Sequence, residues 1–351
     1  MTSMSPWERF MTAARRQPVD RVPVALIGTA RFFSDVAGVD QSEFYFDPNV
    51  MIEAQKTTFD RFGEVAFVPG CWPDYGVGFF TALGMRAEWV PNDTCATRDH
   101  RYDTLEKLRE LRLPNPETDG LWPWYLRTLR RFAARRDEFD AQLRCLWSMG
   151  PGEVASYLCG LMPLTEGFHT DPDFVERLLT VSTDLILRWL EAQLAVLPRA
   201  EAVLITDDVS GLISEPMYRR FLLPHHQRLR QRYPDLLIVF HNDTRSDHIL
   251  AAIADTGFDV FQLGQATSLP LAKETIGHRM ALMGNVDTVN VLQNGSTDDV
   301  RQASRVCLET AAAGGGFILS AGGGMNRGIA PEKIDAMVEE ARQFRVPRVF
   351  S

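Results

Sequence analysis

The stretch Leu237-Ile-Val-Phe-His241-Asn-Asp243-Thr244 decides the fold, because an apolar run typical of a buried β-strand ends abruptly in an imidazole, an amide and a carboxylate. Side chains alternate along a strand, so His241 and Asp243 are predicted to point the same way and Asn242 to turn aside. In a parallel barrel the active site lies at the carboxyl ends of the strands. We therefore predict that this strand supplies part of a functional site.

Seven further segments have strand character, and helical segments alternate with them. This alternation, with right-handed crossovers, predicts a parallel sheet, and eight strands favour closure into a (β/α)8 barrel of the TIM type. The fold class is therefore α/β, and we expect one domain over residues 1–351. The predicted strands are 22–27, 64–68, 144–149, 201–206, the stretch from Leu237, 259–263, 280–283 and 317–319.

Two regions fall outside this alternation. Residues 1–20 are predicted to form an N-terminal helical extension, with a short amphipathic helix at 6–16 before the breaker at 17–20. Residues 71–116 are irregular, with aromatic residues, glycine-rich turns and a candidate hairpin strand at 86–90, so we expect an excursion that forms part of the barrel mouth. The other predicted helices cover 47–62, 122–139, 171–197, 214–232 and 245–256.

Composition narrows the class of protein. Of 351 residues, 45% are hydrophobic and 24% charged, as in ordinary globular proteins. The net charge of -9 and the lack of long basic runs argue against a nucleic-acid surface. There is no membrane-length apolar run and no signal-peptide core, so we expect a cytoplasmic protein. Five cysteines without a CxxC pair fit reduced, buried thiols.

Other polar groups follow neighbouring strands. Asp207 and Asp208 end the fourth strand, where they either cap the next helix or serve in proton transfer and substrate orientation. The glycine run 322–324 is either a flexible turn or an anion cradle. His241 itself has a structural alternative, as a buried histidine bonded to a backbone carbonyl. The pair His225-His226 falls on a helix, where neighbouring side chains diverge, so we expect a surface position and no metal site.

Several segments together resemble the uroporphyrinogen decarboxylase-like superfamily. The resemblance implies a distorted barrel with its site at the carboxyl ends of the strands. It also implies one of two activities, porphyrinogen decarboxylation or methyl transfer between a corrinoid protein and a thiol or tetrahydrofolate, and makes a homodimer plausible. The segments are Glu8-Arg-Phe-Met-Thr-Ala-Ala, Asp20-Arg-Val-Pro-Val, Asp207-Asp-Val-Ser-Gly-Leu-Ile-Ser, Phe240-His-Asn-Asp, Gly314-Gly-Gly-Phe-Ile-Leu-Ser-Ala-Gly-Gly-Gly and Ile329-Ala-Pro-Glu-Lys-Ile.

The chain departs from the superfamily at two motifs. Where the decarboxylases carry Arg-Gln-Ala-Gly-Arg, this chain has Leu26-Ile-Gly-Thr-Ala-Arg31, and a single arginine disfavours a substrate with eight carboxylates. Where the thiol-using methyltransferases hold zinc with His-x-Cys and a later Cys, this chain has His241, Asp243 and only Ala321-Gly-Gly-Gly324. Any zinc would use His241 and Asp243, but this set is poorer than one with thiolates, so zinc is disfavoured.

We therefore expect a methyltransferase that works with methylcobalamin carried by a partner corrinoid protein, and with a small-molecule donor or acceptor for which tetrahydrofolate or a thiol are candidates. The alternatives are a decarboxylase or lyase of a small acidic compound, and a barrel that binds a corrinoid or pterin without turnover. Predicted catalytic residues are His241, Asp243, Asp207 and Asp208. Predicted substrate-binding residues are Asn242, Asn285, Asp287, Arg31, Gly322, Gly323 and Arg327.

Overall fold

The computed structural model describes residues 4–97 and 99–345, and all eight predicted strands are present in it. Most are one to four residues shorter than their sequence patterns. The strands are β1 (Ala25–Leu26), β2 (Ala66–Phe67), β3 (Cys145–Met149), β4 (Ala202–Thr206), β5 (Leu237–Asn242), β6 (Val260–Leu263), β7 (Ala281–Val286) and β8 (Phe317–Ala321).

The strands are parallel and adjacent in sequence order. Strands β3 to β8 form a six-stranded parallel sheet, and β1 pairs with β2. Bridges from Val24 to Leu319 and from Ile27 to Gly324 join β1 to β8. Between β2 and β3 the described residues show one backbone hydrogen bond, Cys71 N to Gln142 O at 2.8 Å, rather than a ladder. Eight parallel strands in chain order confirm the predicted α/β barrel.

Helices connect the strands and cover the sheet. Every residue of β3 and β5 is buried, as expected for a parallel sheet with both faces covered. The helices are α1 (Pro6–Ala14), α2 (Ala30–Ala37), α3 (Gln41–Phe46), α4 (Pro48–Arg61), α5 (Leu105–Glu110), α6 (Trp122–Ala134), α7 (Arg136–Phe139), α8 (Pro151–Cys159), α9 (Leu161–Thr170), α10 (Pro172–Val196), α11 (Glu215–Met217), α12 (Leu223–Arg232), α13 (Leu250–Ala254), α14 (Leu269–Ile276), α15 (Thr297–Ala311) and α16 (Pro331–Gln343).

Two predicted helices are interrupted. The helix predicted over 122–139 breaks at Arg135, between α6 and α7. The one predicted over 214–232 contains a π-helical turn, Tyr218–Leu222, immediately before Pro224. Proline has no N–H and its ring clashes with the carbonyl four residues back, so a wider turn ahead of it relieves the helix. The helix predicted over 245–256 is reduced to a 3-10 turn, Asp247–Ile249, and α13.

The excursion over residues 71–116 is largely irregular. It holds a 3-10 helix, Gly76–Leu83, and α5, and the candidate hairpin strand is a single bridge between Glu88 and Ala96. Buried apolar side chains from Trp7 to Ala341 form one connected cluster. In the described ranges, every helix is too short or too polar to cross a bilayer.

The N-terminal extension is fastened by an ion pair between buried Arg9 and the more exposed Asp20. Helix α1 begins with a capping box in which Ser5 and Glu8 satisfy each other's backbone N–H groups. Arg9 is 2% exposed, and its Nε and Nη2 donate to the two carboxylate oxygens of Asp20 at 2.6 and 2.8 Å. The Arg9 guanidinium lowers the pKa of Asp20 from 3.8 to about 2. The breaker after α1 thus anchors the helix that precedes it.

Replacing Asp20 by Asn should lower the free energy of unfolding by about 1–3 kcal/mol, because it leaves the buried Arg9 guanidinium without its counter-charge, while solvent around Asp20 screens part of the effect. The folded-state pKa is depressed, so the pair contributes fully above about pH 4, and its contribution is lost as the pH falls through about 2. Urea unfolding of both proteins at pH 7 and pH 3 measures this. An equal stability of the two proteins at pH 7 would contradict the anchoring role.

Candidate active site

A glutamine on β6 fixes the orientation of His241 at the end of β5. Gln262 is fully buried, and its amide nitrogen donates to Ala321 O at 2.8 Å. Because a carbonyl only accepts, the amide oxygen must face the other way, where it contacts His241 Nδ1. The Nδ1 atom therefore carries a proton, and Nε2 points toward the barrel mouth. Neighbouring strands thus fix the orientation of the histidine ring and keep a proton on Nδ1.

Two carboxylates face this Nε2 atom. Asp243 Oδ1 lies 3.4 Å from it, and an oxygen of Asp208 completes a group within 4.8 Å. The Asp208 carboxylate also accepts the backbone N–H of Asp243 at 2.6 Å. Burial alone would lower the pKa of His241, but the Asp243 and Asp208 carboxylates outweigh it and raise the pKa to about 9. His241 is therefore an imidazolium at neutral pH, and the predicted residues His241, Asp243 and Asp208 lie together.

Asp207 does not belong to the mouth, and its prediction as a catalytic residue is corrected. It is fully buried and accepts the backbone N–H groups of Gly152 and Glu153, each at 2.9 Å. His226 Nε2 lies 3.1 Å from its carboxylate, while His226 Nδ1 meets the Tyr218 hydroxyl at 3.0 Å. The prediction of a surface His226 was therefore wrong. Asp207 instead joins the first turn of α8 to α12.

Three of the predicted substrate-binding residues are engaged in local structure. Asn242 is fully buried, donates to Asp207 O and accepts from Thr244 N, both at 2.8 Å, so its assignment to the mouth is corrected. Asn285 donates to the Gly264 and Thr267 carbonyls. Asp287 accepts the N–H groups that open the π-helical turn after β7. These residues shape the loops around the site.

The glycine run after β8 brings backbone close to the site. A Cβ atom on Gly322 would lie 2.6 Å from Gln265 N, so glycine is required by close packing there. A Cβ atom on Gly323 would lie 3.0 Å from Asp243 Oδ1. Gly323 therefore borders the Asp243 carboxylate, whereas Gly322 packs against the loop after β6. Neither observation supports an anion cradle.

A cavity of about 260 Å³ opens beside Asp243. Its volume lies below the roughly 300–1,000 Å³ typical of sites for drug-sized ligands, so it suits a small molecule or one ring of a larger one. The loop after β1, the excursion and the loop after β8 all contribute to it. The lining residues are Thr29, Ala30, Arg31, Tyr45, Asp74, Thr94, Asp243, Gly324, Met325 and Asn326.

The charged groups around this cavity differ in the partners that they already have within the protein. Arg31 is already paired, with Nε 3.0 Å from Asp93 Oδ1. The other predicted arginine, Arg327, donates to Gln41 Oε1 at 2.6 Å and to Asn92 O at 2.7 Å. Asp74 is buried, and its carboxylate accepts only the backbone N–H groups of Ala30 and Gly76 among the described residues. Burial raises the pKa of Asp74, although those N–H groups oppose the rise.

The sequence patterns did not single out Asp74 or Glu153. Glu153, in the first turn of α8, accepts the Thr206 hydroxyl at 2.7 Å. Burial, and then the Asp208 and Asp207 carboxylates, raise its pKa to about 8, so it is protonated at neutral pH. The sequence did contain an indication of Glu153. It follows β3 in the turn Gly150-Pro-Gly-Glu153, just as Asp243 follows β5. Gln262 also had a signal, as a polar residue inside an apolar strand.

The residues present do not fit the zinc site that the resemblance implies. That site needs two thiolates, whereas the positions here are Asp243 and the glycine run, and the five cysteines are free, buried and outside the cluster. Burial raises the pKa of Cys71, Cys145 and Cys307, which opposes thiolate formation. The donors near His241 are oxygen atoms, so no step through a zinc thiolate site follows for this chain.

Comparison with known proteins places this geometry in a family. The sequence pattern of the family described as uroporphyrinogen decarboxylase (URO-D) matches residues 5–344. The chain is 24% identical to a methylated-thiol–coenzyme M methyltransferase from Methanosarcina mazei, over 99% of this chain and 92% of the relative. It is 25% identical to a uroporphyrinogen decarboxylase from Thioalkalivibrio sulfidiphilus, over 96% of this chain and 97% of the relative.

A solved structure shares the fold. It is a methyltransferase from Methanosarcina mazei that superimposes with a TM-score of 0.83 at 22% identity, covering 97% of this chain and 99% of that chain. The named relatives are enzymes, and they divide between methyl transfer and decarboxylation at nearly equal identity. With a match over nearly its whole length, this chain belongs to the uroporphyrinogen decarboxylase (URO-D) family.

Proposed function

We propose that the protein transfers a methyl group between a corrinoid protein and a small molecule bound at the barrel mouth. The observation that carries this proposal is the charge of the mouth. Asp74, Asp208 and Asp243 converge there, while Arg31 is bound to Asp93. A porphyrinogen with eight carboxylates needs several guanidinium partners, and such a polyanion is repelled by this arrangement.

The methyltransferase relative and the resemblance add to this argument. A relative that matches over 99% of this chain is named for methyl transfer from methylated thiols to coenzyme M. The resemblance supplies the second reactant, methylcobalamin carried by a partner corrinoid protein. We place this partner against the open mouth, because the small molecule in the cavity beside Asp243 must lie in line with the cobalt-bound methyl group.

The residues at the mouth would bind the small molecule and control charge. The imidazolium of His241 holds a proton at Nε2, next to Asp243 and the cavity. In the donor direction the bond from the methyl group to sulfur, oxygen or nitrogen breaks, and a fixed positive group there stabilises the electron pair left on that atom. The reverse reaction, demethylation of methylcobalamin by an acceptor, passes through the same transition state. Asp208 and Asp243 keep the imidazole protonated. Methyl transfer therefore needs no covalent protein intermediate.

The missing thiolates bear on the identity of the small molecule. Activation of a thiol acceptor relies on a metal that lowers the thiol pKa, and this chain lacks the thiolate ligands for such a site. We therefore favour a pterin such as tetrahydrofolate, or a neutral or cationic methylated amine or ether. The cavity of about 260 Å³ admits one ring system or a small molecule.

A second candidate function rests on Glu153. Its protonated carboxyl, with a pKa of about 8, lies in the first turn after β3 and is able to give a proton to a carbanion. This observation favours a decarboxylase or lyase that acts on a small acidic compound. Carbon dioxide release that is abolished by Glu153→Gln, without any demethylation of methylcobalamin, would favour this second function over the first.

Replacing His241 by Ala should slow the demethylation of methylcobalamin by at least about 100-fold, because the fixed proton beside the reacting atom is lost. The decay of the visible spectrum of methylcobalamin with tetrahydrofolate, methylamine and thiol acceptors measures the rate. His248→Ala is the matched control, since His248 is exposed and, within residues 4–97 and 99–345, its side chain bonds only the Ile213 carbonyl. Unchanged turnover in His241→Ala would remove His241 from the mechanism.

Uroporphyrin-type polycarboxylates should bind weakly, whereas tetrahydrofolate or a small methylated amine should bind measurably. The reason is the excess of carboxylates over free guanidinium groups at the mouth. Calorimetric titration at low and high salt gives the ranking. Tight polycarboxylate binding that strengthens at low salt would overturn the proposed substrate class.

Protein purified without added metal should hold well under one zinc per chain after dialysis, because no thiolate lies near His241. Elemental analysis of the dialysed protein provides the number. One zinc per chain that survives dialysis would contradict this expectation and return a thiol to the list of acceptors.

A further inference from the structure

We propose that Trp72 and Trp147 form a subsite for a methylated ammonium group, the cationic end of the small molecule that gives up its methyl group. This subsite rests on the proposed function, because it selects one class among the methyl donors considered there. Three features of the molecule support it: the position of both indoles inside the barrel, the part of each indole that solvent reaches, and the negative charge at the mouth.

The side chain of Trp147 points into the barrel. On β5 the Phe240 ring lies 5.1 Å from an imidazole of α12, so Phe240 faces outward and the residues on either side of it face inward. The parallel register pairs Trp147 with Leu204, and Leu204 with Val239, so Trp147 shares the inner face. His241 follows Val239 by two residues on that face, and Trp147 therefore lies roughly 7 Å below the layer of His241.

Trp72, in the loop after β2, meets Trp147 where the described residues of β2 and β3 form no ladder. The ring centroids are 4.8 Å apart, and the ring planes are inclined by 36°. Gln55 of α4 bonds the backbone N and O atoms of Trp72 at 3.0 and 2.6 Å. Gln193 of α10 bonds those of Trp147 at 3.2 and 2.7 Å. Two helices thus hold the paired indoles in place before a ligand binds.

The exposed part of the pair is mainly ring carbon. Trp72 is half-buried and Trp147 is 8% exposed, although both rings lie inside the barrel. Both indole N–H groups are out of contact with solvent, and they bond no acceptor within residues 4–97 and 99–345. On the inner face, Leu204 and Val239 are fully buried, so solvent reaches the pair from the mouth. A ligand above the pair therefore meets aromatic carbon rather than hydrogen-bond donors.

Negative charge surrounds this aromatic surface. Asp74 follows Trp72 by two residues and lines the cavity, while Asp208 and Asp243 lie beside His241. These three carboxylates outnumber the single imidazolium. Aromatic carbon beside net negative charge is the combination that binds methylated ammonium groups, because the cation is attracted to the electron-rich ring faces. A pterin would need hydrogen-bond partners along its ring edge, which the buried indole N–H groups do not offer.

The test compares two molecules of the same shape. Choline carries a trimethylammonium group, and dimethylbutanol is its uncharged isostere with carbon in place of the nitrogen. Calorimetric titration of the full-length protein, without a corrinoid, should show that choline binds at least about 10-fold more tightly than the isostere. Tetramethylammonium should compete with choline for the same site. Equal affinity of choline and its isostere, or the absence of saturable choline binding, would overturn the subsite.

Variants locate the binding. Trp72→Leu and Trp147→Leu should each weaken choline binding by about 10-fold, whereas Trp72→Phe keeps a ring and should retain most of the affinity. Trp124→Leu is the matched control, since it removes a half-buried indole of α6 that lies against Arg127, and it should bind choline like the wild-type protein. Thermal melting verifies that each variant folds. Wild-type affinity in both Trp72→Leu and Trp147→Leu would contradict the assignment.

Methyl transfer is measured separately, so the two proposals fail in different ways. If tetrahydrofolate demethylates methylcobalamin while choline binds no better than its isostere, the proposed function stands and the subsite is wrong. If choline binds as expected but no acceptor demethylates methylcobalamin, the subsite stands and methyl transfer is wrong.

Discussion

The hydrogen-bond pair made by Gln262 is the constraint on which the site depends. Its amide joins Ala321 on β8 to His241 on β5, across the strand that carries it. A barrel can align strands through backbone bonds alone, but those bonds do not orient the ring of a histidine. A buried amide with both ends used does so, because reversing it would place two donors or two acceptors together. The orientation of His241 at the mouth therefore depends on a residue buried inside the sheet.

Charge compensation is the second organising factor. The structure brings several carboxylates to the carboxyl ends of the strands, and a different kind of group hydrogen-bonds or neutralises each of them. Asp207 is stabilised by buried N–H groups and His226, Asp74 by the backbone of α2 and the excursion, and Asp243 by the His241 imidazolium. Only the last of these arrangements leaves a charged pair beside the cavity. This difference separates residues that build the barrel from residues that are available to a ligand.

The sequence predicted the barrel well because its signals are local. Strand character, alternation and the polar ends of strands lie within a few residues of each other, and the eight strands appear where these patterns place them. The site was predicted only in part, because the chain turns sharply where the strands end. Asp207 and Asp208 are adjacent, yet one is fully buried and the other joins His241, since a 3-10 turn begins between them.

The sequence patterns did not identify other residues of the site, because the contact partners of those residues lie far away in the chain. Asp74 lines the cavity through packing of the excursion on the loop after β1, and Gln262 bonds His241 and Ala321, which lie 21 and 59 residues away in the chain. Pattern and spacing carry no information about such contacts. The region around Pro224 is the opposite case, because a single proline predicts an irregular helix and the π-helical turn Tyr218–Leu222 lies next to it.

The central claim is methyl transfer at this mouth, and isotope labelling tests it most directly. The protein would be incubated with methylcobalamin labelled with ¹³C in its methyl group and with candidate acceptors, and the mixture followed by ¹³C nuclear magnetic resonance. The account predicts that the cobalt-bound methyl resonance falls while an N-methyl, O-methyl or S-methyl resonance of one acceptor rises at an equal rate. A cobalt-methyl signal that decays no faster with the protein than without it, for every acceptor class, would contradict the account.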